Sequence, residues 1–244
     1  LHRPAVIGWT VGVALLGFFY GIVADQAESI LENNPEMADF LAMLGTGSIT
    51  DAFLATSMLM MGLVATGYTV SAVLRLRTEE TAGRADLILT TPASRRAWMS
   101  SHLLLACGGT TVVMSVTGAA MGVGLASVTG DLWQIPRLLG AALAMVPALM
   151  VVAGLAAVLY GLLPKWAPLA WGIVAFVVVV GLLQGILDLP QWVLDLSPFE
   201  HVPAIPAAPC EPMPTVSLLA TAGALRGGGL AALQRRDLGW AAVR

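Results

Sequence analysis

The chain has 244 residues, of which 57% are hydrophobic and only 11% are Asp, Glu, Lys or Arg. A soluble domain carries about 25% charged residues, so this chain cannot cover a surface that faces water. The composition therefore excludes a soluble domain and indicates an integral membrane protein. The formal net charge of -3 is uninformative as a total, and no basic face with interleaved aromatic residues supports nucleic-acid binding.

Six stretches are long enough to cross a membrane, which requires roughly 20 mostly apolar residues. They lie at about 5–24, 52–74, 101–128, 137–162, 167–187 and 215–233. We therefore predict an all-α, polytopic membrane protein in which residues 1–244 form a single domain of six transmembrane helices, in contact with the lipid bilayer.

The basic residues predict how these helices are oriented. Ten of them would lie on the same side of the membrane, against only Arg137 on the opposite side. The ten are Arg3, Arg75, Arg77, Arg84, Arg95, Arg96, Lys165, Arg235, Arg236 and Arg244. Because cytoplasmic segments carry an excess of Lys and Arg, we predict that both termini are cytoplasmic.

A charged segment, residues 75–98, joins the second and third predicted spans and reads RLRTEETAGRADLILTTPASRRAW. We predict a short helix in it from Thr78 to about Leu89. Pro92 would end that helix, because its ring removes a backbone donor and disfavours helix at the preceding residue. A helix that carries charged residues beside a small apolar patch suits docking to another protein. The alternative is a solvated loop that only orients the chain.

The second and third spans contain residues suited to helix packing or to ligand contact. Gly118 and Gly122 are four residues apart, a spacing that lets another helix approach closely. We interpret this pair as packing within the chain, with dimer contact as the alternative. Met58, Met60 and Met61 have flexible side chains that suit a surface for varied apolar ligands or, alternatively, gaps in a core.

Two segments are predicted on the external side. The first is acidic, and its spacing of apolar residues predicts short amphipathic helices around Pro35, or an ordinary acidic loop. Its acidic residues are Asp25, Glu28, Glu32, Glu36, Asp39 and Asp51. The second, residues 188–214, is too interrupted by proline to span the bilayer and too apolar to lie free in water. We predict a re-entrant or interfacial helical pair there, with non-helical backbone buried against protein.

Arg226 is the charged residue that falls inside a predicted span. An Arg at the centre of a membrane helix costs roughly 2.5–3.5 kcal/mol on insertion scales, so its presence needs a reason. One interpretation is a shifted sixth span that ends near Arg226, with residues 230–240 along the membrane surface. The other is a cation that faces a wet translocation path and meets an anionic or carbonyl-rich substrate.

The pattern of Glu79 and Glu80 followed by Trp98 and His102 resembles the glutamate-pair and aromatic–histidine motifs of intramembrane prenyl-protein proteases. The sequence departs from that family because both motifs fall in a single predicted loop and no third motif of His with Asn follows. No Cys or His spacing is typical of a metal site. We keep this protease as an alternative, together with a membrane assembly protein that transports nothing.

The segment EETAGRADLILTTPASRRAW resembles the signature of type-2 ATP-binding-cassette exporter permeases, which runs Glu–Gly–x–x–x–Leu–Leu–x–Thr–Pro–x–Ser–Arg. The matching residues are Glu79, Glu80, Gly83, Leu87, Leu89, Thr91, Pro92, Ser94 and Arg95. Arg84 and Asp86 depart from the Thr and Glu that are commoner there. Residues 196–206 and 233–238 resemble the polyketide-antibiotic exporter subgroup, and the chain resembles the second half of such a protein. The usual elbow helix is replaced by Leu1-His2-Arg3-Pro4, so we expect a piece of a longer chain.

This resemblance implies an exporter of apolar or amphipathic, drug-like compounds that works by alternating access in a bacterial plasma membrane. It implies a cytoplasmic ATPase subunit that carries ATP and Mg, and a second six-span half. The chain itself would bind no cofactor, no metal and no nucleic acid and would have no catalytic residue. The residues expected to couple to the ATPase are Glu79, Glu80, Gly83, Arg84, Asp86, Leu87, Leu89 and Pro92. Those expected along a translocation path are Met58, Met61, Thr66, Thr111, Ser115 and Arg226.

Overall fold

The computed structural model describes residues 3–32, 48–81, 95–184, 187, 189–209 and 212–234. The longer segments within these ranges are mainly α-helical. The helices are α1 (Arg3–Glu32), α2 (Ile49–Thr81), α3 (Arg95–Thr129), α4 (Gln134–Leu162), α5 (Ala170–Leu183), α6 (Gln191–Leu194) and α7 (Pro212–Gln234). Two 3-10 helices, Pro164–Leu169 and Pro198–His201, precede α5 and follow α6.

Six helices of the described ranges are long and apolar enough to cross a membrane, as predicted. They are Pro4–Gln26, Ile49–Thr81, Ala97–Thr129, Gln134–Leu162, Pro164–Leu183 and Pro212–Gln234. Several helices exceed the predicted spans. Helix α2 has 33 residues and is therefore about 50 Å long, against a hydrocarbon core of about 30 Å. Its ends must project beyond the apolar part of the bilayer.

Polar contacts at two opposite ends show that α2 and α4 run in the same direction. Arg137 Nη2 donates to Asp51 Oδ2 over 2.7 Å where both helices begin. Tyr160 Oη donates to Glu80 Oε2 over 2.6 Å where both end. We call these the Asp51 end and the Glu80 end. Successive spans alternate in direction, so α1 begins and α7 ends at the Glu80 end, as expected for termini on a shared side.

Assignment of the Glu80 end to the cytoplasm stays a prediction, and two exposed residues can test it. Lys165 lies just after α4, and Asp131 lies at the opposite end of the bundle, just after α3. In intact cells, a membrane-impermeant maleimide should label Asp131→Cys in a Cys210→Ser background and should spare Lys165→Cys. Lys165→Cys should react only after the membrane is opened. The reverse pattern would overturn the orientation.

Glycines let the long helices touch through their backbones. A Cβ at Gly118 would lie 2.5 Å from Ala142 Cβ, and a Cβ at Gly122 would lie 2.5 Å from Ile135 Cα. Both glycines therefore face α4, which confirms the prediction that they pack within the chain. A Cβ at Gly124 would lie 2.2 Å from the Phe18 carbonyl oxygen, so α3 also carries a close contact with α1. The sequence analysis had not singled out that contact.

The predicted loop over 75–98 was too long at both ends. Helix α2 continues to Thr81, and α3 already begins at Arg95, so the first residues of the predicted short helix belong to α2 instead. The physical reason is that no Gly or Pro occurs between Gly67 and Gly83, while Leu76 is completely buried. Burial of that face stabilises further helical turns. Residues 82–94 lie outside the described residues.

Helix α1 also extends beyond the predicted first span of residues 5–24. Helix α1 continues to Glu32, so Asp25, Glu28 and Glu32 are helical residues and not part of a loop. The predicted amphipathic helices around Pro35 fall in 33–47, outside the described residues.

The segment after α5 folds back onto the bundle through a buried aromatic ring. Phe199 is 4% exposed, and a Cβ at Gly62 would lie 3.2 Å from its Cε1 atom. Gly62 follows Asp51 by eleven residues, a helical rise of about 16 Å. Phe199 therefore reaches well below the Asp51 end of α2.

Candidate functional site

Two of the eight predicted coupling residues lie in the described part of the chain. Glu79 and Glu80 are half-buried in the last turn of α2. The other six, Gly83, Arg84, Asp86, Leu87, Leu89 and Pro92, lie outside the described residues. The predicted coupling segment, residues 75–98, thus begins in the last turns of α2, at the Glu80 end.

Tyr160 is a residue of this region that the sequence analysis missed. Its side chain is completely buried, and its hydroxyl donates the 2.6 Å hydrogen bond to Glu80. A buried tyrosine hydroxyl generally finds a partner, so the available signal was a Tyr near the end of an otherwise apolar span. The sequence could not show which acidic residue of the chain would accept a hydrogen bond from this hydroxyl.

The predicted path residues of α2 differ in where they lie, because two are in the core and the third lines a groove. Met58 and Thr66 are completely buried, and the Thr66 hydroxyl donates to the Leu63 carbonyl oxygen of its own helix. Both side chains therefore lie in the core of the bundle, and their assignment to a path stays a prediction. Met61 is also buried at 3% exposure, but its side chain reaches the wall of an intramembrane groove.

This groove runs between α1, α2 and α5 and consists of two adjoining cavities of about 430 and 320 Å³. Leu16 and Val64 belong to both cavities, so together they form a continuous depression. The first is lined by Ala5, Gly8, Trp9, Gly12, Val13, Leu16 and Val64. The second is lined by Leu16, Tyr20, Met60, Met61, Leu63, Val64, Val178 and Leu182. A wall of this composition suits an apolar or aromatic guest.

The remaining path residues lie together on α3 and α7. Cys107, Thr111 and Ser115 recur every four residues and therefore share a face of α3. Thr111 Oγ1 donates to the Cys107 carbonyl oxygen over 2.9 Å, and Arg226 Nη2 contacts Cys107 Sγ. The structure thus brings three of the six predicted path residues into a single polar strip.

Arg226 carries a half-buried positive charge. Its Nε atom is buried and has no hydrogen-bond partner, and among the described residues no carboxylate contacts its guanidinium group. Helix α7 continues without a break through Arg226 to Gln234, and Gly229 lies against Ala157 of α4. Arg226 is therefore about 10 Å inside the end of α4.

Residues 1–234 match the model of a family described as the multidrug efflux system permease Rv1217c, C-terminal domain. The chain belongs to this permease family. It is 35% identical over 240 residues to the multidrug efflux system permease protein Rv1217c of Mycobacterium tuberculosis (strain ATCC 25618 / H37Rv). That alignment covers 98% of the chain and 44% of the relative, so the chain spans less than half the length of the curated relative that it matches.

The family supports the predicted resemblance at the level of a transport permease, and the six long apolar helices agree with a membrane protein. Its description as a C-terminal domain agrees with the predicted resemblance to a second half. The polyketide-antibiotic subgroup stays a prediction.

The protease alternative gains no support from this permease family. Glu79 and Glu80 lie on α2 and His102 lies on α3, so the two motifs do not share a loop as predicted. His102 Nδ1 lies 3.0 Å from the Trp98 carbonyl oxygen. Within the described ranges, no group of three His, Cys, Asp or Glu side chains could hold a metal ion.

A separate cavity of about 660 Å³ opens at the Asp51 end of the permease domain. Its wall includes Glu200, His201, Met213 and Ser217. Although the Glu200 side chain is exposed, desolvation around its carboxyl group raises its pKa, and a hydrogen bond to Gln184 and the charge of His201 partly oppose that rise. This cavity lies at the opposite end of the bundle from the coupling segment.

Proposed function

We propose that the chain is the membrane-spanning half of an ATP-driven exporter of apolar or amphipathic, drug-like compounds. The observation that carries this proposal is the apolar groove between α1, α2 and α5 in a member of a multidrug efflux permease family. The methionines and aromatic rings of this groove provide contacts that adapt to different guests, as export of varied compounds requires.

The energy would come from a separate ATPase subunit. The sequence contains no GxxxxGK[ST] phosphate loop, so the chain offers no such site for ATP. The ATPase would carry ATP and Mg and would dock at the Glu80 end, on the coupling segment that follows α2. Support comes from the two half-buried glutamates at the start of that segment and from its resemblance to exporter permeases.

A second six-span half would complete the pathway. The relative is more than twice as long as the chain, and the groove is open on one side. Alternating access would then move the two halves against each other and expose bound compound first to the cytoplasmic side and then outside. The segment 188–214 would act as a re-entrant element on the outer side, anchored by Phe199 against Gly62.

Inverted membrane vesicles that hold the chain with its second half and an ATPase subunit would test this function. Wild-type vesicles should accumulate a fluorescent hydrophobic dye that is neutral and carries a carbonyl group only when ATP is present. Leu87→Asp should lower this accumulation about ten-fold, the effect of losing about 1.4 kcal/mol of contact free energy. The reason is that it places an unpaired carboxylate in the docking surface.

Leu132→Asp is the matched control, because Leu132 is 73% exposed at the Asp51 end and should tolerate the same change. If both variants transport equally, the coupling segment only orients the chain in the membrane and does not couple it to the ATPase. Absence of an ATPase from the purified wild-type complex would favour the membrane assembly protein instead.

A further inference from the structure

The hydrogen bond between Tyr160 and Glu80 joins two helices that are distant in sequence. Tyr160 Oη lies 2.6 Å from Glu80 Oε2, Tyr160 is completely buried and Glu80 is half-buried. A hydrogen bond to a carboxylate is stronger than one between neutral groups. Loss of the acceptor would remove this bond from a buried hydroxyl, which carries its own cost. The contact therefore fixes the last turn of α2 to the end of α4.

The end of α4 is in turn fixed to α7. A Cβ at Gly161, the neighbour of Tyr160, would lie 2.7 Å from the Gly229 carbonyl oxygen. Gly229 is one turn from Arg226, which contacts the α3 residue Cys107. Leu76, one turn before Glu80, is completely buried, so this part of α2 is also packed. A displacement of the last turn of α2 would thus move α4, and α4 would move α7.

We propose that Tyr160 is a positioning residue that latches the coupling segment to α4, so that a movement imposed on this segment reaches α4 and α7. This inference rests on the proposed exporter function. It gives Glu80 a role inside the permease domain, distinct from the direct ATPase contact expected from its resemblance to the exporter signature. Two closely packed helices with a fixed end are well suited to transmit such a shift.

The test uses the complete complex of permease and ATPase in proteoliposomes. Tyr160→Phe should retain the amount of co-purified ATPase, the thermal midpoint and basal ATP hydrolysis. Substrate-stimulated hydrolysis and ATP-dependent efflux should each fall about ten-fold, since the connection depends on a charge-assisted hydrogen bond. Glu80→Gln retains a carbonyl oxygen acceptor and should retain most of the efflux, whereas Glu80→Leu should lower efflux at least as much as Tyr160→Phe.

The double variant Tyr160→Phe with Glu80→Leu should lose less efflux than the sum of the two single losses, because both changes remove this shared contact. Thr129→Val is the control, since the Thr129 hydroxyl bonds only to the Leu125 carbonyl oxygen and the Asp131 N–H and so joins no two of the long helices. Wild-type efflux in Tyr160→Phe would overturn the latch, and so would additive losses in the double variant. Should Tyr160→Phe fail to fold, full efflux in Glu80→Leu would also overturn it. A wild-type complex that shows no ATP-dependent efflux would instead refute the exporter function.

Discussion

Gly118→Leu should prevent the permease domain from assembling as a stable, monodisperse protein. A Cβ at this position would lie 2.5 Å from Ala142 Cβ and 2.6 Å from the Leu138 carbonyl oxygen. Neither atom can move aside without a shift of α4, because one is backbone and the other is attached directly to it. Overpacking typically costs about 1–3 kcal/mol and occasionally more, and Leu adds three further carbon atoms.

The matched control is Gly108→Leu on the same helix. A Cβ at Gly108 would meet no atom within 4 Å, and the residue is exposed. Size-exclusion chromatography in detergent and thermal unfolding should therefore show wild-type behaviour for Gly108→Leu and aggregation or a lowered midpoint for Gly118→Leu. Equal stability of the two variants would contradict the close packing of α3 on α4.

Arg226→Leu should abolish or strongly reduce export and leave the amount of folded protein unchanged. Removal of an intramembrane Arg relieves an insertion cost of roughly 2.5–3.5 kcal/mol, so no loss of protein is expected. What is lost is a half-buried cation whose Nε atom is buried without a partner, beside the polar strip on α3. A substrate group with negative or carbonyl character would lose this contact.

Arg226→Lys keeps the charge but not the planar donor geometry, so it should retain part of the export. The ATPase should co-purify equally with all three proteins. Unchanged export by Arg226→Leu would remove Arg226 from the translocation path and favour the simpler interpretation, in which the side chain only reaches toward the membrane surface. The uninterrupted helix from Pro212 to Gln234 already shows that α7 does not end at Arg226.

The sequence by itself determined the class of protein and the number of spans. Both depend on the length of apolar runs, a local property that can be compared directly with the thickness of the bilayer. It also predicted that Gly118 and Gly122 pack against another helix of the chain, because only small residues permit that approach. The excess of basic residues predicted a shared side for the termini, and the helix directions agree with it.

Only the tertiary structure decided which face of each span meets which neighbour. A helix that is apolar on all sides gives no pattern that separates buried from lipid-facing residues. Sequence reasoning therefore could not distinguish the core residue Met58 from Met61 in the groove. It could not pair Tyr160 with Glu80 or Arg226 with Cys107 either, because such contacts join residues 80 and 119 positions apart. Their partners depend on how the helices pack, and the composition of each segment does not determine that packing.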